Sequence, residues 1–210
     1  MTPLNLLKKV REYLARQRRK LEPIVNADGL GEFIDTRSSL VAQTSLYGYI
    51  KTRAGTRFPD LFENEEFLQS INIAKWQIWA ACVSDLAVFS GGLLYREMPD
   101  ADRIRQALQQ AIDPLLARTA QPSEAGEDFS TALEKLKIRI AGAPFTDAAT
   151  SENAFTVSPD ALVYWAPIVD ELKSLDESIV RNSIRFRWQA PRRELREALQ
   201  PARVLDSLDN

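Results

Sequence analysis

The stretch from Ile71 to Leu94 reads INIAKWQIWAACVSDLAVFSGGLL and decides the fold of this 210-residue chain. Arranged at about 100° per residue, its apolar side chains lie on every side of an α-helix, a pattern typical of a helix buried at the centre of a bundle. Asn64 is a suitable N-cap. Gly91 and Gly92 are expected to interrupt or end the helix because each weakens it by about 1 kcal/mol. We therefore predict a central hydrophobic helix over about 65–90.

The same stretch suggests a second interpretation, a helix that spans a membrane. Between Lys75 and Arg96 the chain has about the 20 residues that a bilayer core requires. Asp85 lies near the middle of that stretch, where an aspartate costs about 2.5–3.5 kcal/mol to insert. This cost favours a core helix over a membrane-spanning one.

Further helices are predicted where apolar residues recur at the helical period between caps and prolines. Their ranges are 3–22, 36–54, 100–119, 127–141, 159–173, 177–189 and 191–206. Asp35 is the expected cap of the helix over 36–54, after a turn-rich linker over 26–31. Asp113-Pro114 is expected to kink or restart the helix over 100–119.

No segment alternates polar and apolar residues convincingly in the manner of a strand. We predict an all-α fold, an irregular bundle of about seven to eight helices around the central one. Its organisation is a basic amphipathic N-terminal helix over 1–25 and a single domain over 26–210, with loops near 119–127 and 142–158.

The chain contains no histidine and a single cysteine, Cys82. Histidine is the usual general base at neutral pH and the commonest metal ligand, so catalytic triads and ordinary zinc sites lose a necessary part. P-loop and dinucleotide-binding motifs do not occur in the sequence either. We therefore predict no catalytic residue, metal or cofactor, and the sequence favours a protein that is not an enzyme.

Positive charge is concentrated at the two ends of the chain. Residues 1–25 carry a net charge of +5 and residues 181–210 carry +3, although the whole chain has a net charge of −2. A basic amphipathic helix near the N-terminus could lie on an anionic membrane or a partner protein. Alternatively, its apolar side packs on the body of the protein. The residues of this candidate surface are Leu6, Leu7, Lys8, Lys9, Val10, Arg11, Leu14 and Arg18.

A second candidate site is a cleft between the helices predicted over 36–54 and 65–90. Cations there could bind an anion through bidentate contacts, and a carboxylate in a cleft could have a shifted pKa. The simpler interpretations are that the cations complement the end of a helix and that the carboxylate forms a structural ion pair. The candidate ligand-binding residues are Tyr47, Lys51, Arg53, Arg57, Lys75 and Asp85.

The segment from Ile184 to Trp188 mixes arginine with aromatic residues, and Arg192, Arg193 and Arg196 follow it. Such a mixture can bind single-stranded nucleic acid. However, the pI of about 5.4 provides no basic footprint across the domain. The sequence therefore disfavours a nucleic-acid partner.

Three segments, Ser45–Pro59, Ser70–Lys75 and Ala80–Leu86, carry a resemblance to a family of uncharacterised bacterial helical proteins. The resemblance covers about forty residues, and the family is sometimes loosely labelled as an esterase. This chain has no Gly-x-Ser-x-Gly nucleophile elbow and no histidine base, so its residues do not support that label. The resemblance implies an all-helical fold and no assigned chemistry.

Together these observations favour a non-enzymatic helical interaction protein, an adaptor or an accessory subunit. The expected location is the bacterial cytoplasm, with residues 3–22 as a contact to the inner membrane. The alternative is a small-molecule-binding domain, or an enzyme that works without histidine, at the cleft between helices 36–54 and 65–90. The sequence leaves the partner and the oligomeric state open.

Overall fold

The computed structural model describes residues 22–119, 122–149 and 154–209. Except for its last residue, the helix predicted over 3–22 lies outside these ranges, as does the candidate surface on it. The described residues form eight α-helices joined by turns and short 3-10 helices. The all-α prediction is confirmed, and so is the central apolar helix.

The first helix, α1 (Ala27–Ala54), begins nine residues before the predicted start at residue 36. Asn26 is its N-cap, with Oδ1 accepting a hydrogen bond from the Gly29 amide at 2.9 Å. The predicted linker over 26–31 and the predicted cap at Asp35 are therefore wrong. A Cβ on Gly31 would lie within 3 Å of the Ala111 carbonyl oxygen. This glycine lets two helices approach closely. In the sequence the same glycine resembles part of a turn, because a glycine alone does not show which of the two roles it has.

The central helix, α2 (Glu65–Glu97), has Asn64 as its N-cap, as predicted. It continues through Gly91 and Gly92 to Glu97, so the predicted interruption or end at these glycines is wrong. A Cβ on Gly91 would clash with the ring of Phe145, and one on Gly92 with the backbone of Ala149. The two glycines make room for a neighbouring turn, and the packing outweighs their low helix propensity.

Two helices follow the predictions closely, α3 (Ala101–Thr119) and α4 (Phe129–Gly142). Asp100 accepts hydrogen bonds from the amides of Asp102 and Arg103, both at 3.1 Å, at the start of α3. Pro114 lies inside α3 and does not restart it.

The last third of the chain is divided differently from the prediction. It contains α5 (Val157–Trp165), α6 (Asp170–Arg187), α7 (Gln189–Ala198) and α8 (Pro201–Asp206). The helix predicted over 159–173 ends early because Ala166 precedes a proline and has an extended ψ of 130°. The predicted break between 173 and 177 does not exist, and α6 runs through it. Gln200 precedes Pro201 and leaves the helical conformation, so the helix predicted over 191–206 is two helices.

Helix α2 lies at the centre and packs against α1, α3, α4, α5 and α8. It is long and apolar enough to cross a membrane by length and composition, but 89% of its most apolar window is buried inside the protein. The neighbouring helices cover the side chains that a membrane-spanning helix would present to lipid. Near the start of the described chain, the Ile24 amide donates to the Ala198 carbonyl at 2.9 Å.

Candidate functional site

Asp85 occupies a sealed position inside the bundle. Its side chain has no exposed area and accepts a hydrogen bond from Arg139 Nη1 at 2.6 Å. The amides of Val157 and Ser158, at the start of α5, donate to its oxygens at 3.2 and 2.8 Å. Burial raises the pKa of Asp85, and Arg139 and Ser158 oppose that rise. A carboxylate in these contacts joins α2, α4 and α5, which is the structural ion pair that the sequence left as one interpretation.

The predicted cations of α1 lie elsewhere and serve another contact. Arg53 forms two hydrogen bonds with Asp176 of α6, and these raise the pKa of Arg53 and lower the pKa of Asp176. Lys51 and Arg57 are exposed. The cleft hypothesis requires Arg53 or Arg57 to lie beside Asp85 in one pocket. Among the described contacts, Arg53 and Asp85 have no partner in common, so these contacts do not bring them together.

Lys75 and Tyr47 form two more separate contacts. The Lys75 ammonium binds Glu124 Oε1 at 2.9 Å and lies 5.4 Å from the centre of the Trp76 ring. The ring of Tyr47 stacks against Phe62 with 6.4 Å between ring centres. Of the six predicted ligand-binding residues, Asp85, Arg53, Lys75 and Tyr47 thus take part in four separate contacts.

The arginine and aromatic residues near 184–196 also divide between core and surface. Trp188 is fully buried and donates from Nε1 to Ser158 Oγ at 3.0 Å. Arg192 lies 5.3 Å from the centre of the Phe155 ring. Trp188 is therefore a core anchor and is not available for base stacking, whereas Phe186 is exposed.

Among residues 22–119, 122–149 and 154–209, no three Cys, Asp or Glu side chains lie close enough together to hold a metal ion. Cys82 is buried, and that burial raises the pKa of its thiol.

Helix α6 carries the feature that sequence reasoning missed. Leu175, Ile179 and Phe186 are 74%, 69% and 70% exposed. Their spacing of four and seven residues places them within about 40° of one another around the helix. Large apolar side chains that are exposed singly need no explanation, but a contiguous apolar patch marks an interaction surface. We call Leu175, Ile179 and Phe186 the α6 stripe.

The opposite side of α6 attaches it to the bundle. Val180 is 4% exposed and Ile184 is fully buried. Asp176 adds the ion pair with Arg53 of α1, and Tyr49 of α1 lies close to both. Burial and the neighbouring Asp176 raise the pKa of Tyr49 to about 12. The helix is thus held on its inner side while the α6 stripe faces away from the core.

Charge is divided along α6. The first half, residues 170–178, has four acidic side chains and one lysine, and the second half, residues 179–187, has three arginines and no acid. Glu171, Arg185 and Arg187 are exposed. The α6 stripe therefore lies on a helix that is negative at one end and positive at the other.

A groove of about 890 Å³ lies beside the N-terminal end of α6. Its walls come from α5, from α6 and from the connection between them, with a smaller part from α2, and its charged residues are bound within the protein. Arg181 forms ion pairs with Asp160 and Glu177, and Lys173 donates to the Tyr164 carbonyl at 2.8 Å. The groove also has exposed apolar side chains in its walls, including Tyr164 at 71% and Val169 at 61% exposure, but the α6 residues that line it lie on the side of the helix away from the α6 stripe.

The α6 stripe had a signal in the sequence. Leu172, Leu175, Ile179, Asn182 and Phe186 are spaced at three, four, three and four residues. The prediction of two helices, one ending at residue 173 and one starting at 177, divided that pattern. A continuous helix over 170–187 would have displayed it.

Comparison with known proteins brings no relative. No family model, curated protein or solved structure matches this chain. The resemblance to a family of bacterial helical proteins therefore stays a prediction.

Proposed function

We propose that this protein is an interaction protein, an adaptor or accessory subunit, that binds another protein chain through the α6 stripe. The single observation that carries the proposal is the exposure of Leu175, Ile179 and Phe186 on one side of a helix whose other side is buried. Exposing three large apolar side chains on one side of a helix costs free energy, because their removal from water is worth about 25 cal/mol per Å². A partner that covers them would recover that free energy.

The geometry of α6 suits such a role. The ion pair between Arg53 and Asp176 and the buried Val180 and Ile184 hold the helix in place. A partner therefore meets an ordered surface and does not bear the entropic cost of ordering it. Binding a helix by its apolar face is a common mode of recognition between proteins.

Site-specific photo-crosslinking tests the proposal. A photoreactive amino acid replaces Ile179 in the full-length chain, which is expressed in its native host and irradiated. Ile138 of α4 is the matched control, because it is an isoleucine of 70% exposure on a different helix. We expect a covalent adduct with a protein chain from position 179 and none from position 138. Equal labelling at both positions, or none at position 179, would contradict the proposal.

A membrane contact through residues 3–22 is a second proposal, which the net charge of +5 over residues 1–25 supports. About 1 kcal/mol per basic residue near an anionic surface makes such binding measurable. Flotation of the full-length chain with anionic liposomes tests it against the variant Lys8→Glu/Lys9→Glu/Arg11→Glu. We expect the variant to stay in the soluble fraction, and equal flotation of both proteins would remove the membrane from the proposed function.

A further inference from the structure

We infer that the partner covering the α6 stripe is a second copy of this chain, whose α6 lies antiparallel to the first across a two-fold axis. This inference rests on the proposed function, and it adds the identity and the orientation of the partner. Two properties of α6 support it: the spacing of its exposed apolar residues and the division of its charges.

The spacing favours another helix as the occupant. Intervals of three and four residues through Leu172, Leu175, Ile179, Asn182 and Phe186 are the intervals of the apolar seam in a coiled coil. Such a seam runs nearly parallel to the helix axis, over about 21 Å between Leu172 and Phe186. It fits a helix that carries the same intervals, and α6 itself is such a helix. Asn182, which is exposed on the seam, is the kind of polar residue that specifies the number and register of associating helices.

The charges favour a copy of α6 in the antiparallel direction. An antiparallel copy places the acidic first half, with Glu171, beside the basic second half of its partner, with Arg185. A parallel copy would place like charges side by side, which disfavours association. A two-fold axis repeats each favourable contact, because in such an interface the same patch is used by both copies.

One register satisfies both properties. Glu171 and Arg185 both border the seam. If Leu175 packs against Ile179 of the second copy, Glu171 lies next to Arg185 of that copy. The same register places Phe186 against the residues just before the second α6.

The experiment measures the molar mass of the full-length chain in solution by sedimentation equilibrium and by light scattering after gel filtration. We expect a dimer at micromolar concentration. Ile179→Glu places a charge in the seam and is expected to raise the dissociation constant at least about 100-fold. The matched control, Ile138→Glu on α4, is expected to leave the dissociation constant unchanged.

Charge reversal tests the antiparallel orientation. Glu171→Arg and Arg185→Glu each convert two attractive contacts into repulsive ones, and each is expected to raise the dissociation constant about tenfold at low salt. Mixing the two single variants restores both attractive contacts. The mixture is therefore expected to form a heterodimer that is tighter than either homodimer. The double variant Glu171→Arg/Arg185→Glu is expected to dimerise like the original chain.

Several results would overturn the inference. A chain that stays monomeric to about 100 µM, a dimer that Ile179→Glu leaves intact, or single charge variants whose mixture shows no preference for the heterodimer each contradict it. Crosslinking from position 179 to residues 1–21 of the same chain, or to a different protein while the chain is monomeric, also overturns it. In the case of a different protein the proposed function stands and only the second copy is wrong, whereas the absence of any adduct from position 179 removes the proposed function itself.

Discussion

Helix α2 is apolar over most of its length and helix α6 is mostly polar, yet it is α6 that leaves large apolar side chains exposed. Helix α2 is apolar on all sides and is covered by its neighbours, with Ile78 and Leu86 fully buried. Helix α6 has apolar residues on two opposite faces, and the bundle covers only the one with Val180 and Ile184. The fold thus leaves one apolar face of α6 open on a helix that it otherwise holds in place, and the proposed function rests on this difference from α2.

The largest expected effect is at the ion pair that joins α2 to α4 and α5. Asp85→Ala leaves Arg139 without its buried partner and leaves the amides of Val157 and Ser158 without an acceptor. We expect the free energy of unfolding to fall by about 3–5 kcal/mol, measured by urea denaturation. The matched control is Asp102→Ala, which removes an ion pair whose carboxylate is 95% exposed. That control is expected to cost less than about 1 kcal/mol, and an equal cost at both positions would contradict the structural role of Asp85.

A direct comparison of α2 and α6 uses the same substitution on both. Ile78→Ala opens a cavity beside a fully buried position and is expected to cost about 2–5 kcal/mol. Ile179→Ala removes a side chain that is 69% exposed and is expected to change the free energy of unfolding by at most about 0.5 kcal/mol. Both values come from denaturation at a concentration where the chain is monomeric. Comparable losses would mean that the fold itself covers Ile179.

A smaller effect is expected where the turn over 145–149 meets α2. Gly92→Ala introduces a Cβ that would lie within 3 Å of Ala148 and Ala149, and overpacking of this kind costs about 1–3 kcal/mol. Gly142→Ala is the control, because no atom lies within 4 Å of the added Cβ at the end of α4. That control is expected to be neutral or to stabilise by up to about 1 kcal/mol. If thermal unfolding shifts equally in both variants, close packing does not explain Gly92.

The smallest effect concerns the attachment of α6 to α1 at high pH. Because the pKa of Tyr49 is raised to about 12 from its ordinary value of 10.0, the unfolded chain loses this proton first and stability falls between pH 10 and 12. The expected loss at pH 11 is about 1.4 kcal/mol. Tyr49→Phe should remove this part of the pH dependence and leave stability at pH 7 nearly unchanged. An identical alkaline slope in both proteins would show that Tyr49 is not perturbed.

By itself the sequence determined the all-α class, the central helix with its cap at Asn64 and the absence of histidine chemistry. These follow from the helical period of the apolar residues, from the capping residues and from the amino-acid composition. All three are local properties, so they can be recognised in the sequence alone. Tertiary structure decided which of the glycine-containing segments that resemble turns in the sequence are turns in the fold. Gly31, Gly91 and Gly92 resemble helix breaks in the sequence, yet they lie inside helices. They are glycines because a neighbouring element approaches too closely for a side chain.

Tertiary structure also decided which polar and apolar residues meet, because such contacts join positions far apart in the sequence. The pairing of Asp85 with Arg139 and of Arg53 with Asp176 could not be read from spacing, and it separates residues that the sequence placed in one candidate cleft. The spacing of the apolar residues in the α6 stripe can be recognised in the sequence. The exposure of these residues cannot be predicted from it, because the same spacing occurs on helices whose apolar face is buried. Only the packing of Val180 and Ile184 shows which face of α6 points towards the core.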